Sequence, residues 1–564
     1  MSRREAWLSA AAIFALAMVV RAIAAAAVAF PIPEDTAYYA GVARNLVEGR
    51  GLISDALWSY QTQPLTVPRA AFEVWMPLPS LIAAVPMSIV GAAHWFRAAQ
   101  LASVVTGSVL AVLAWRLGAD VAAEMRLPSG RARTLGIGAG MVAAVLGPLV
   151  IYGAMPDSTG PFAVLSLAAC LVMTRIAHRY GSDARISIRL LVALGALLGL
   201  AALTRSEAVW LAVAWLAIVW RGLPRRAVED PSAAATGAAT SPNRRFERSQ
   251  LVLIPGVTAA LVFAPWAIRD WLTFGSPMPG QSVNNALYAN SFDVFAYQDQ
   301  PTLASYLSHG PAALIGMHVA GFAHDLFNVL IIPAFPVGLI GLLMLPRVWR
   351  LASLRPLVLA AILTFTATSL LFPVSTQSGT YLHSAGATLV LLIVSCLAAL
   401  DAFVVWVGRL RHWTRPVAWL GPAFAIAAVV PLTGVSVIAL SGQADDVRAR
   451  YAALPVAMAR AGVPLGDAGP VITNFPIWLA ESARVRTLAL PQESPGSVLD
   501  LARRFGARLL IVQHDEDNVW PDNLNRGGSE ASCFREVTLT DNSGGGLVEG
   551  SPLTQIRVFR IVCP

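Results

Sequence analysis

Lysine is missing from this chain: all 41 basic side chains are arginine, which we read as a coding bias rather than as chemistry. Charge of either sign is scarce, 13% of 564 residues, where a soluble protein of this size carries about a quarter. Cysteine occurs four times, and no CxxC or His/Cys cluster has zinc spacing, so a structural metal is not expected. Also missing are a Walker loop, a GxGxxG followed by an acidic residue, a GxSxG elbow and an HExxH pair. Those absences disfavour a nucleotide-driven pump and a serine hydrolase.

What fills the space is hydrocarbon. The chain is 56% hydrophobic with mean hydropathy +0.61, and apolar runs of about twenty residues recur along it. The expected fold class is mainly α: a polytopic membrane helix array with interfacial helices, plus a small exported α/β C-terminal domain. We place about 11 spans, near 7–30, 96–117, 134–153, 160–177, 188–204, 206–221, 251–272, 327–346, 356–373, 384–405 and 416–440. The first is too long for a signal peptide and reads as retained. The element 72–93, with Pro77, Pro79 and Pro86, is taken as interfacial or re-entrant. Without it as a crossing, every Arg-rich loop falls on one face: Arg3 and Arg4, then those within 116–133, 175–189, 221–248, 347–355 and 409–415. By the positive-inside rule that face is cytoplasmic, with the N-terminus in and the C-terminus out. The formal charge of +8 therefore reflects orientation and is no nucleic-acid signal.

Residues 1–440 read as the membrane domain, with an interfacial first loop 31–95, a cytoplasmic linker 222–249 and an outer loop 273–312. Residues 441–564 carry 14 acidic and 12 basic side chains, leaving the rest net +10. There, 471–474, 509–512 and 556–562 read as strands. Ser497–Phe505 reads as a helix with Ser497 as its N-cap. Cys170 and Cys396 lie within spans. Cys533 and Cys563 are the two in the exported part and are expected to pair as a disulfide.

Charges at a membrane boundary are costly and mark function. Asp35 leads, beside Glu34, where Pro31 and Pro33 break the chain and are expected to leave both acids on irregular backbone. Tyr38, Tyr39, Val42 and Leu46 then recur at helical spacing with Arg44, Asn45 and Glu48 opposite, which predicts an amphipathic helix lying in the interface. Asp157, after Met155-Pro156, reads equally as an N-cap and as a second acid on the face of Asp35. Arg205 and Glu207 read as an internal ion pair or as a phosphate grip. Arg269-Asp270, flanked by Trp266 and Trp271, reads as an interfacial belt or as a similar grip. Tyr381 and His383 sit in a polar turn at the outer boundary. Arg21, inside the first span, is expected to pair with an acid of the array.

An acid after the first span followed by Tyr38-Tyr39, Ala43-Arg44-Asn45-Leu46 and Gly49-Arg50-Gly51 resembles the GT-C superfamily of integral-membrane glycosyltransferases. The likeness is to the branch holding protein O-mannosyltransferases and aminoarabinose transferases. Trp75-Met76-Pro77-Leu78-Pro79 resembles that branch's juxtamembrane helix, and Met155-Pro156-Asp157 resembles its second acidic loop. The resemblance covers roughly residues 7–405. It implies a polyprenyl-phosphate-linked sugar donor and inverting transfer to an acceptor of unknown class at the non-cytoplasmic face of a bacterial plasma membrane. Asp35 would be the general base, Asp157 a second catalytic acid, and Arg205, Arg269 and His383 the groups facing phosphate. Glu34, Tyr38, Tyr39, Glu207 and Tyr381 would complete the substrate contacts. One Asp stands where some relatives have Asp-x-Asp, so no cofactor is required on this reading, and a divalent metal is the less favoured alternative.

Two rivals belong to other classes. A transporter or flippase of a lipid-linked intermediate calls for inverted repeats and broken mid-membrane helices, which the sequence does not show. A non-catalytic envelope assembly factor would be indifferent to the loss of Asp35.

Overall fold

The structure is a computed structural model describing all residues except Met1, 92–93, 183, 224–245, 281–282, 415–416, 468, 515–517, 527, 541–546, 548–549 and 564. Most of the linker 222–249, and with it Arg225, Arg226, Arg244 and Arg245, therefore lies outside the described residues, as does Arg415.

Among the described residues, seven helices are long and apolar enough to cross a membrane: Arg3–Ala27, Trp95–Glu124, Thr159–Gly181, Arg248–Phe274, Gly310–Ile331, Gly386–Leu410 and Leu420–Arg460. Shorter apolar helices pack against them. On Arg248–Phe274 the side chains Leu253, Val257, Leu261, Ile268 and Leu272 form an exposed stripe over five turns. Water opposes such a stripe and lipid accepts it. Another side of the same helix meets Gly195 and Gly199, four residues apart on Ile188–Ala202. A methyl group there would stand 2.5 Å from the Pro255 carbonyl oxygen or 2.7 Å from Val262 Cβ. Small residues thus let two backbones touch where lipid supplies no hydrophobic drive. The chain is a multi-pass membrane protein.

Helix Trp95–Glu124 sets the two faces of the array. Its 30 residues put its ends about 45 Å apart. Trp95 lies under the Arg44 guanidinium, 4.4 Å from it, which ties the helix start to the first loop. At the far end Glu124 accepts from the Ala352 and Ser353 N–H groups (2.7 and 2.9 Å), and Arg131 donates from Nε to Asp401 (2.9 Å). The described arginines of 126–133, 347–355 and 409–411 thus gather at one face. Asp35, Asp157, Arg205 and His383 gather at the other.

The α/β end grows out of the array. Helix Leu420–Arg460 runs 41 residues unbroken through position 441, where Ser441 donates to the Ala27 carbonyl (2.7 Å). A six-stranded sheet follows in the order β2-β5-β4-β6-β8-β7. β4 (Val471–Thr473), β5 (Thr487–Ala489) and β6 (Leu509–Gln513) are parallel; β7 (Phe534–Val537) and β8 (Ile556–Ile561) complete it antiparallel. β2 (Ala56–Leu57) comes from the first loop and pairs parallel with β5, Ala56 opposite Thr487. β1 (Ile53–Ser54) and β3 (Arg69–Ala70) form a separate antiparallel pair in that loop. Cys533 and Cys563 are joined by a disulfide with S–S 2.07 Å.

Several expectations change. Glu34 and Asp35 are not on irregular backbone: helix Glu34–Val47 starts at Glu34 with Pro33 as N-cap, a place where acids suit the helix dipole. That helix is buried from Thr36 to Asn45, so it is packed between neighbours rather than lying half-exposed in an interface. The span 327–346 divides into Gly310–Ile331, whose last eight residues are π-helical, and Val337–Val348. The span 134–153 breaks at Leu146 into Ser129–Val145 and Gly147–Ile151. The element 72–93 holds a helix of 13 residues, Leu78–Val90. The helix expected from Ser497 begins at Pro495, and its N-cap is Ser494, whose Oγ accepts from the Ser497 N–H.

Arg21 finds no acid among the described residues. Its fully buried guanidinium donates to the carbonyls of Ala17 (3.4 Å), Ala143 (3.3 Å), Ala144 (3.3 Å) and Leu149 (3.0 Å). Those at 143 and 144 belong to the last turn of Ser129–Val145, where helix carbonyls lack partners and a cation is favoured. Arg21→Leu leaves these oxygens unpaired and should cost about 2–4 kcal/mol, read as a lower thermal midpoint in detergent.

Candidate active site

Three separate stretches converge on one point of the face that carries the α/β end. Asp35 is on the first turn of Glu34–Val47. Asp157 is in the turn before Thr159–Gly181, and its Oδ1 accepts from the Thr159 N–H (2.7 Å) and hydroxyl. His383 belongs to the short helix Thr380–Ser384. The imidazole bridges the two acids: Nδ1 is 3.1 Å from Asp157 Oδ1 and 2.8 Å from Thr159 Oγ1, and Nε2 is 3.4 Å from Asp35 Oδ2. Tyr152 packs edge-on against the ring at 5.7 Å.

The surroundings push the two acids apart. Burial raises the Asp35 carboxyl; His383 opposes this and the Asp157 charge adds to it, with the net shift upward. Burial would raise Asp157 too, but His383 and the Thr159 donors outweigh it and hold Asp157 at about 2. For His383 burial favours the neutral ring, and the two carboxylates more than offset that, raising it. A carboxylate that stays ionised thus stands next to one made more basic, an arrangement that separates acid and base roles.

Arg205 closes one side. It makes a bidentate pair with Glu207 (2.6 Å at the closest) and donates to Ser158 Oγ (3.0 Å) and to the Thr380 carbonyl (3.2 Å). The internal ion pair and a place beside Asp157 and His383 are therefore compatible. Tyr39 is buried here, next to Ser158. The other predicted residues lie around this centre. Tyr38 stacks on Trp75 at 4.1 Å, and its hydroxyl accepts from the Phe72 N–H. Arg269 pairs with Asp270 (2.7 Å), donates to the Ala71 carbonyl and lies over Trp266. Tyr381 is in the helix core, edge-on to Phe365. Glu34 Oε1 accepts from the Ile477 and Trp478 N–H groups of the α/β end.

Charge in the site is closely balanced. Each arginine brings its own acid, so the cationic wall expected from the sequence is a set of neutral pairs. Asp35, Asp157, His383, Arg205 and Glu207 together are net negative even with the imidazole protonated. The ligand-type atoms of Asp35, Asp157 and His383 lie within 4.8 Å of one another. Asp157 Oδ2 is buried without a hydrogen-bond donor. Two carboxylates and an imidazole with one orphaned oxygen fit a divalent cation of the hard-to-borderline type.

The sequence reading missed Thr159, Ser158, Tyr152 and Trp75. Thr159 was within reach, because an Asp two residues before a hydroxyl at a helix start is a capping pattern.

No family model and no curated relative matches the sequence. Among solved structures, the Archaeoglobus fulgidus oligosaccharyltransferase in complex with Zn and sulfate matches at 12% identity and TM-score 0.51, over 94% of this chain and 72% of that one. ArnT from Cupriavidus metallidurans matches at 14% identity and TM-score 0.49 in the apo state, over 100% of this chain and 99% of that one. With bound undecaprenyl phosphate it gives TM-score 0.48 at 14% identity, over 99% and 98%. The archaeal match decides the architecture. The fold is similar to that of this oligosaccharyltransferase.

Asp157 is the member whose loss disturbs most. Asp157→Ala strands the Thr159 N–H and leaves the His383 Nδ1 with Thr159 Oγ1 alone in a buried site, and should cost about 2–4 kcal/mol. Asp157→Asn, which keeps an acceptor, should cost about half that, and thermal unfolding of the two variants checks the order.

Proposed function

We propose that this chain is a membrane glycosyltransferase that moves a sugar from a polyprenyl-phosphate donor to a hydroxyl acceptor with inversion. The observation carrying the proposal is the bridged trio Asp35–His383–Asp157, beside Arg205, at the boundary where lipid-borne and water-borne substrates meet. On this reading residues 1–440 form the catalytic array and the part from about 441 is an exported domain. The arginine face is cytoplasmic, and the site opens on the non-cytoplasmic side of a bacterial plasma membrane.

The step is a single displacement. The acceptor oxygen forms a bond to the anomeric carbon as the bond from that carbon to the phosphate oxygen breaks. The hydroxyl proton passes to Asp35, and polyprenyl phosphate leaves with the electron pair. A raised carboxyl suits Asp35 to taking that proton. Asp157 and Thr159 fix the imidazole through Nδ1, which leaves Nε2 facing Asp35, where it acts as a donor to Asp35 when protonated and as a cation ligand when not. Phosphate is a good leaving group, so what the site must supply is positive charge rather than a proton. The site's own side chains are net negative, which favours Asp35, Asp157 and His383 holding a divalent cation. Such a cation would neutralise the donor phosphate. The archaeal oligosaccharyltransferase, in complex with Zn and sulfate, agrees in kind.

Two measurements test this. A strain lacking the protein should lose one envelope glycan by mass spectrometry. Wild type should restore it, and Asp35→Asn, at normal protein level, should restore less than about 1% of it. Full restoration by Asp35→Asn would end the proposal. Separately, calorimetric titration of the purified protein with Mn2+ should show one site that His383→Ala weakens by at least about tenfold. An unchanged isotherm in that variant would remove the cation.

A further inference from the structure

Helix Pro476–Ala483 follows β4 at the carboxyl end of the parallel strands, and it starts without a cap of its own. Phe475 at the N-cap has no side-chain acceptor, and Pro476 has no N–H. The next two N–H groups, of Ile477 and Trp478, both point at one oxygen. That oxygen is Glu34 Oε1, at 3.0 and 3.3 Å, from a residue more than 440 positions earlier. The anion position at this helix start is therefore taken by the chain's own carboxyl. Trp478 grips the same turn a second time, its indole N–H donating to the Pro31 carbonyl (3.0 Å).

The contact continues along both helices. Arg44 pairs with Glu481, buried on both sides, and Arg484 donates to both oxygens of Glu48 (2.7 and 2.8 Å). Between them, a methyl group at Gly41 would fall 2.0 Å from Glu481 Oε1, so the helices approach as closely as a missing side chain allows. Strand β2, from the same loop, is built into the sheet beside β5. Asp35 is the residue after Glu34. Whatever sets the position of Glu34 sets the start of the helix from which Asp35 reaches His383.

We infer that Glu34 is a positioning residue: by capping helix Pro476–Ala483 it lets the α/β end hold Asp35 at His383, so that this end acts on turnover without touching substrate. The inference rests on the reading of Asp35 given above and assigns Glu34 a task other than substrate contact. A carbonyl oxygen at position 34 is all the cap requires, so Glu34→Gln keeps it and Glu34→Ala removes it.

The experiment uses the full-length chain in two arms. In the deletion strain, Glu34→Ala should restore less than about one-tenth of the glycan at normal protein level, and Glu34→Gln at least about half. In purified protein, hydrogen–deuterium exchange over residues 34–41 should be at least about tenfold faster in Glu34→Ala, unchanged in Glu34→Gln, and unchanged in both over 159–181. Wild-type glycan in Glu34→Ala, a Glu34→Gln as poor as Glu34→Ala, or unmoved exchange in Glu34→Ala would each overturn the inference. If Glu34→Ala does not accumulate, Glu34→Asp keeps the carboxyl but withdraws it by one methylene from the Ile477 and Trp478 N–H groups. It should speed exchange over 34–41 in the same direction, and unchanged exchange there would also overturn it. Should Asp35→Asn restore the glycan while Glu34→Ala still loosens 34–41, the transferase reading falls and the mechanical coupling stands.

Discussion

A helix that ends in or beside hydrocarbon leaves N–H or C=O groups with no water to receive them. In this chain the missing partners are charged or amide side chains sent from far away in sequence. Arg21 takes the carbonyls at 143, 144 and 149. Arg97 and Gln100 take those at the end of the first helix, Ala25 and Val28. Glu124 takes the N–H groups of Ala352 and Ser353 and Glu34 those of Ile477 and Trp478, while in the loop 273–312 Glu493 does the same for Tyr297, Gln298 and Asp299. Each link ties two elements that packing alone would leave free to slide. The array owes its register to this exchange as much as to its apolar surfaces.

The same economy explains the character of the site. Nearly every charge near it is already engaged: Arg205 by Glu207, Arg269 by Asp270, Asp157 by Thr159 and His383. Engaged charges are rigid, and rigidity keeps the Asp35–His383 distance from depending on solvent. The cost is that little unshared positive charge remains in the site, and the ligand-type atoms of Asp35, Asp157 and His383 stand close enough together for a cation to complement it. Asp325 shows the opposite solution. It is wholly buried in a π-helical turn and is satisfied by the hydroxyls of Ser369 (2.8 Å) and Thr376 (2.8 and 2.9 Å). It therefore stays structural, and it ties helix Gly310–Ile331 to the loop that leads to His383.

These two kinds of acid also mark what could be read from the sequence. Apolar periodicity is local, so most of the long helices and the strands at 471–473, 509–513 and 556–561 follow directly from it. Sidedness is local too, because each loop carries its own arginines. That alone places Asp35, Asp157 and His383 on one face, without any distance between them. Helix Gly310–Ile331 was not legible as a separate element, since His318, His324 and Asp325 dilute its apolar run. Beside the adjacent His324, it is Ser369 and Thr376, some fifty residues later, that make Asp325 tolerable there. Arg21 misled for the same reason. A buried cation suggests a carboxylate, and a broken helix offering bare carbonyls is invisible in sequence.

Glu34 and Asp35 show how far such non-local pairing reaches. Side by side in sequence, they read as a base and a substrate contact that serve one site. Adjacent residues on a helix point about 100° apart, so two acids in one turn face different partners. One direction leads to His383 and the other to the start of helix Pro476–Ala483. A single turn thus joins the membrane array to the sheet. Strand β2 and the Arg44–Glu481 pair then close the same joint further along. An α/β domain hung from the end of helix Leu420–Arg460 alone would pivot. Held also at Glu34, Gly41, Arg44 and β2, it is fixed to the helix that carries Asp35.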